Sequence, residues 1–183
     1  MRRPCRRSCR GLRAILILLV AGAVCALLGC RGQPPPSARE VLTAMQEAAS
    51  LPPGAVYDSR AVPGNAVPGG VDALDGTLLA ALYGSAARGW GAGEDSPVVE
   101  AALFLSSRPE PAELAVFYCR DTTAALSVAA ICRERLELLR RARVGTAYAA
   151  WVEEGEVTVS GNFVLLVVSP DTREVLRAAR AII

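Results

Sequence analysis

The chain contains no histidine and no lysine. Without histidine it lacks the commonest general base and the commonest metal ligand. Without lysine as well, no Ser-His-Asp triad or Ser-Lys dyad can form around Ser85, Ser96, Ser106, Ser107 or Ser160. Aromatic residues are scarce, at 5%. None of them interleaves the basic N-terminal stretch, so that stretch is no nucleic-acid platform. The formal net charge of +2 is a leader effect. Without Arg2, Arg3, Arg6, Arg7, Arg10 and Arg13, 14 arginines face 18 acids, a net charge of about −4. A nucleic-acid partner, which needs a basic face, is excluded on that balance.

The six arginines precede an uncharged apolar run of 15 residues from Ala14 to Leu28. A spanning helix needs about 20 residues. A secretory core runs about 7–15 behind a positive segment. Positive charge stays on the cytoplasmic side, so the chain beyond the run is expected to be exported. Two other readings stay open: an uncleaved signal-anchor helix over about Leu12 to Gly29, and a twin-arginine route through Arg2-Arg3 or Arg6-Arg7.

The run ends in Leu27-Leu28-Gly29-Cys30, which resembles the lipobox of bacterial lipoproteins. The resemblance implies cleavage between Gly29 and Cys30. Gly29 is the small residue at the cut, and the Cys30 thiol takes the lipid. The expected partner of Cys30 is therefore membrane lipid. Stable anchoring needs two or more acyl chains, at about 0.8 kcal/mol per buried CH₂. The expected place is the extracytoplasmic face of the cell membrane.

Beyond Cys30, about 154 residues suffice for one domain with a real core. The expected division is a leader over 1–29, a lipidated tether with one short helix and a Pro/Gly-rich linker over 30–70, and a domain over 71–183. Ser37 and Glu40 have capping-box spacing for a helix from about Ala38 to Ser50, with Val41, Leu42 and Met45 on one face. Pro and Gly crowd Leu51–Gly70, which reads as linker. Asp72–Tyr83 reads as a helix with Leu74, Leu78 and Leu82 in a stripe, ended by Gly84.

Alternation predicts a strand over Val98–Ser106, with Val99, Ala101, Leu103 and Leu105 on one face. A second strand covers Leu114–Arg120. Asp121 caps a helix over about Thr122–Arg143, with Ala125, Ala129, Cys132, Leu136 and Leu139 inward and ion pairs Arg133–Glu137 and Glu137–Arg141 outward. Glu156–Ser160 and Phe163–Val168 form a hairpin about Gly161-Asn162. A last helix follows Ser169-Pro170-Asp171. The expected fold class is α+β: a four-stranded, mostly antiparallel sheet in ββαββα order, helices on one face, preceded by N-terminal helices.

Several stretches resemble a bacterial domain family of unknown function, whose members are short lipoproteins or membrane-anchored proteins of Gram-positive bacteria. They are Leu82-Tyr83-Gly84, Glu113-Leu114-Ala115-Val116-Phe117, Cys119-Arg120-Asp121, Arg133-Glu134-Arg135-Leu136, Gly161-Asn162-Phe163-Val164-Leu165 and Val168-Ser169-Pro170-Asp171. The family has no established activity, so the resemblance implies no site residues and no cofactor.

The remaining chemistry is thin. Cys119 and Cys132, the two cysteines left after the leader and Cys30, either pair as a disulfide or stay as buried thiols. Gly89, Gly91 and Gly93 lack the preceding strand of a dinucleotide loop. Glu153, Glu154 and Glu156 form an acidic cluster for a cation or for acid/base work, or a solvated turn. No metal and no cofactor is expected. The leading expectation is a non-enzymatic binding domain with a protein or envelope partner. The alternatives are a carboxylate-dependent envelope enzyme using the glutamate cluster, and solute capture in a cleft.

Overall fold

In a computed structural model, the chain divides into two units, Met1–Pro35 and Pro36–Ile183, the second of them compact. The structure describes residues 34–61, 71–91, 95–107 and 109–183. The leader, the Gly29–Cys30 junction and the start of the tether lie outside these residues. So do residues 62–70 of the Pro/Gly-rich stretch and Gly93.

The second unit contains helix α1 (Ala38–Glu47), strands β1 (Gly54–Asp58) and β2 (Val71–Ala73), and helix α2 (Gly76–Tyr83). A 3-10 turn (Ser85–Gly89), strands β3 (Val98–Ser106) and β4 (Glu113–Cys119), and the long helix α3 (Thr122–Arg143) come next. A short α4 (Ala149–Glu153), the hairpin β5 (Glu156–Ser160) and β6 (Phe163–Val168), and α5 (Thr172–Arg180) complete it. The α+β class is as expected.

The sheet departs from expectation. It has six strands in the order β2-β1-β3-β4-β6-β5, not four. β1 and β2 pair in parallel, and the other neighbours are antiparallel. The two added strands come from segments read as linker and helix. β1 pairs along β3 from Gly54↔Ser106 to Asp58↔Ala102. A Cβ on Gly54 would stand 2.5 Å from Leu105 O and from the Phe104 ring. That glycine permits close backbone approach, which from sequence alone looks like linker composition. α1 and β1 therefore belong to the domain, which begins before residue 71.

Helices cover both faces of the sheet, not one. On β3, β4 and β6 every second residue faces each way. Ala101, Leu103, Ala115, Phe117, Val164 and Leu166 lie with α2, α3 and the 3-10 turn. Ala102, Phe104, Leu114, Val116, Leu165 and Val167 lie with α1 and α5. The physical reason is visible in β6, whose six residues are all buried. A strand apolar on both sides needs two covers.

Local details follow the sequence closely at helix ends. The Ser37/Glu40 capping box forms. Asp75 and Asp121 accept the backbone N–H groups of Leu78 and Ala124. Gly84 ends α2, but the buried residues of that helix are Leu79 and Tyr83. Gly161 takes φ +56° in the β5–β6 turn, a conformation that favours glycine. β3 carries a bulge between Val98 and Glu100. Its extra residue turns Val99 outward, to 50% exposure, and puts Val98 in the core. On α3, Glu137 pairs with Arg140 rather than with Arg133 or Arg141. Arg140 is held there by the carbonyls of Val152, Glu153 and Gly155.

Candidate functional site

The most concentrated polar chemistry in the described fold lies where α2, β4 and α3 meet. Glu113 opens β4 and is 3% exposed. Tyr83, the last residue of α2, donates its hydroxyl to Glu113 Oε1 at 2.8 Å. Arg135, on α3, donates Nη2 to Oε2 at 2.8 Å and Nε to Oε2 at 3.2 Å. Both carboxylate oxygens are thus satisfied, the condition under which a buried charge is tolerable.

Aromatic packing holds the tyrosine. Its ring meets Phe117 edge-on at 5.3 Å and Trp90 at 5.7 Å, and Trp90 meets Phe117 at 5.1 Å. Burial, and then the Glu113 carboxylate, push the Tyr83 pKa well above its ordinary value. The hydroxyl therefore stays a donor. Burial disfavours the Arg135 charge, but Glu113 more than offsets this and raises its pKa.

A cavity of about 220 Å³ adjoins this cluster. It opens between the β3–β4 turn and the last turns of α3. Leu82, Leu105 and Leu139 form apolar wall, and Glu110 and Arg143 add charges of opposite sign. Glu110 Oε2 is shielded from solvent and has no hydrogen-bond partner among the described residues. The Glu113–Arg135 pair closes one side.

The residues singled out from sequence lie elsewhere. Cys30 and Gly29 are outside the described residues. Cys119 and Cys132 are both buried and both free, so the disulfide reading is corrected to two core thiols. They pack as small apolar groups in the same cluster. Burial, reinforced by Asp121, pushes the Cys119 thiol up to about 12. Burial, then Glu113, raises Cys132 as well. Neither is a reactive thiolate at neutral pH.

Glu153, Glu154 and Glu156 are all exposed, around the buried Gly155. Glu156 pairs with Arg180 at 3.5 Å. Among the described residues no group of three His, Cys, Asp or Glu is placed to hold a metal ion. Gly91 takes φ +73°, and its N–H donates to Ser96 Oγ at 3.1 Å. Ser96 is thereby the clamp of its own loop, since its hydroxyl also donates to Val98 O.

Sequence reasoning passed over the Tyr83–Glu113–Arg135 cluster. One signal was present. Arg135 stands at i+3 from Cys132 and i−4 from Leu139, on the stripe that α3 turns inward. An arginine on an inward stripe calls for a buried carboxylate, and Glu113 directly precedes the apolar run Leu114–Phe117. Compared with known proteins, the chain matches no family model, no curated protein and no solved structure.

Proposed function

We propose that the protein is a lipid-anchored, extracytoplasmic binding domain without catalytic activity. Cys30 carries the acyl chains, and the α+β unit engages a protein or envelope partner. The observation that carries this reading is the lipobox-like Leu27-Leu28-Gly29-Cys30 at the exit of a 15-residue apolar run. A compact unit opening at Pro36, just after it, supports the same reading. Among the described residues no helix is long and apolar enough to cross a membrane.

Mass spectrometry of the native protein taken from membranes tests the anchor. A terminus at Cys30 carrying acyl mass is expected, and Cys30→Ser abolishes it. An intact Met1 terminus would replace the lipid anchor by a permanent leader helix. Crosslinking in membranes tests the binding role. A specific partner captured at the outer surface is expected, and loss of activity in a Glu153/Glu154/Glu156 triple alanine variant would favour the enzyme instead.

A further inference from the structure

Glu110 and Arg143 line one cavity, carry opposite charges, and do not pair with each other. Neither forms an ion pair with any described residue. Their neighbours in the wall, Glu113 and Arg135, are by contrast fully engaged with one another. The free charges therefore cannot be explained as parts of that pair. Glu110 Oε2 also has no hydrogen-bond donor among the described residues.

Among the described lining residues the four charges sum to zero, so a ligand carrying net charge would leave that lining unbalanced. A lone amine would satisfy Glu110 and be repelled by Arg143. A lone carboxylate would do the reverse. The space itself is small. It exceeds the roughly 150 Å³ that holds one benzene ring and falls below the roughly 300–1,000 Å³ of drug-sized sites. Leu82, Leu105 and Leu139 give it an aliphatic wall.

We infer that this cavity binds a small aliphatic zwitterion of amino-acid size, its ammonium on Glu110 and its carboxylate on Arg143. The Glu113–Arg135–Tyr83 cluster acts as the rigid wall that keeps the two free charges apart. This rests on the reading of the domain as a binding domain and names a ligand for it. It does not depend on the lipid anchor.

The test is calorimetric titration of the full chain in detergent micelles. The probes are leucine and 6-aminohexanoate as zwitterions, 3-methylbutylamine as the cation alone, and 4-methylpentanoate as the anion alone. At least one zwitterion should bind saturably, with the single-charge probes at least tenfold weaker. Glu110→Gln and Arg143→Gln should each weaken binding at least tenfold, with circular dichroism unchanged. The inference is overturned if neither zwitterion binds, if a single-charge probe binds as tightly, or if both variants keep full affinity. A chain that is acylated at Cys30 and captures a protein partner, yet ignores every probe, loses this inference alone. A chain that binds leucine but retains Met1 supports it and loses the anchor.

Discussion

Arg135 and Glu113 stand 22 positions apart in the chain and meet with Nη2 2.8 Å from Oε2. The carboxylate side chain is 4% exposed and the guanidinium 20%. A pair this shielded contributes little net stability when intact, but breaking it strands a charge. Glu113→Leu should therefore cost about 3–5 kcal/mol in urea unfolding. Adding Arg135→Met to that variant should recover most of the loss. If the double variant is no better than the single one, packing rather than the stranded charge is responsible.

Tyr83→Phe isolates the hydroxyl. It removes a donor to an ionised acceptor while leaving the ring contacts to Trp90 and Phe117 in place. The expected cost is about 1.5–3 kcal/mol. A loss under about 0.5 kcal/mol would mean that Arg135 alone satisfies Glu113.

The thiols set an alkaline limit. Both folded pKa values lie above the ordinary 9.0, Cys119 at about 12. An unfolded thiol releases its proton near 9, while the folded one holds it. The stabilisation is thus fully present below pH 9 and is lost as pH rises toward 12. Tyr83, also raised, acts in the same direction above its ordinary value of 10.0. Melting temperature should hold up to about pH 9 and then fall. At neutral pH, alkylation of Cys119 and Cys132 should require denaturant but no reductant. Labelling that waits for reductant would show a disulfide instead.

The bulge in β3 distinguishes two adjacent valines. Val98 is fully buried and Val99 is half exposed. Val98→Ala should cost about 1.5–3 kcal/mol, by lost burial. Val99→Ala should stay within about 0.5 kcal/mol of the parent. Equal costs would mean that strict alternation holds and the bulge does not.

At Gly54 an added methyl meets backbone as well as a buried ring, since Leu105 O and the Phe104 ring both stand 2.5 Å from the ideal Cβ. Gly54→Ala should cost about 1–3 kcal/mol. Hydrogen exchange should speed up selectively in β1 and β2. Uniform exchange across the sheet would show that β1 and β2 do not open as a separate unit at that edge.

Much of the fold was legible from local signals. Ser37 and Glu40 announce α1, Asp121 announces α3, and Gly161-Asn162 announces the β5–β6 hairpin, because caps and tight turns depend on side chains only a few positions apart. The unbroken apolar run of β6 likewise marks a central strand. What was misread involves partners distant in sequence. β1 is a strand because β3 offers it a ladder 48 positions on, at Val56↔Phe104. Its Pro/Gly surroundings carry no trace of that.

The sequence by itself determined α1, α3 and α5, the central strands, and the two-sided apolar character of β6. Each depends on periodicity or on neighbours within a turn. Only the tertiary structure decided the six-stranded order, the second helical layer, the free state of Cys119 and Cys132, and the meeting of Tyr83, Glu113 and Arg135 beside a cavity. Those depend on which faces are brought together, and packing compares surfaces from distant parts of the chain that no local pattern contains.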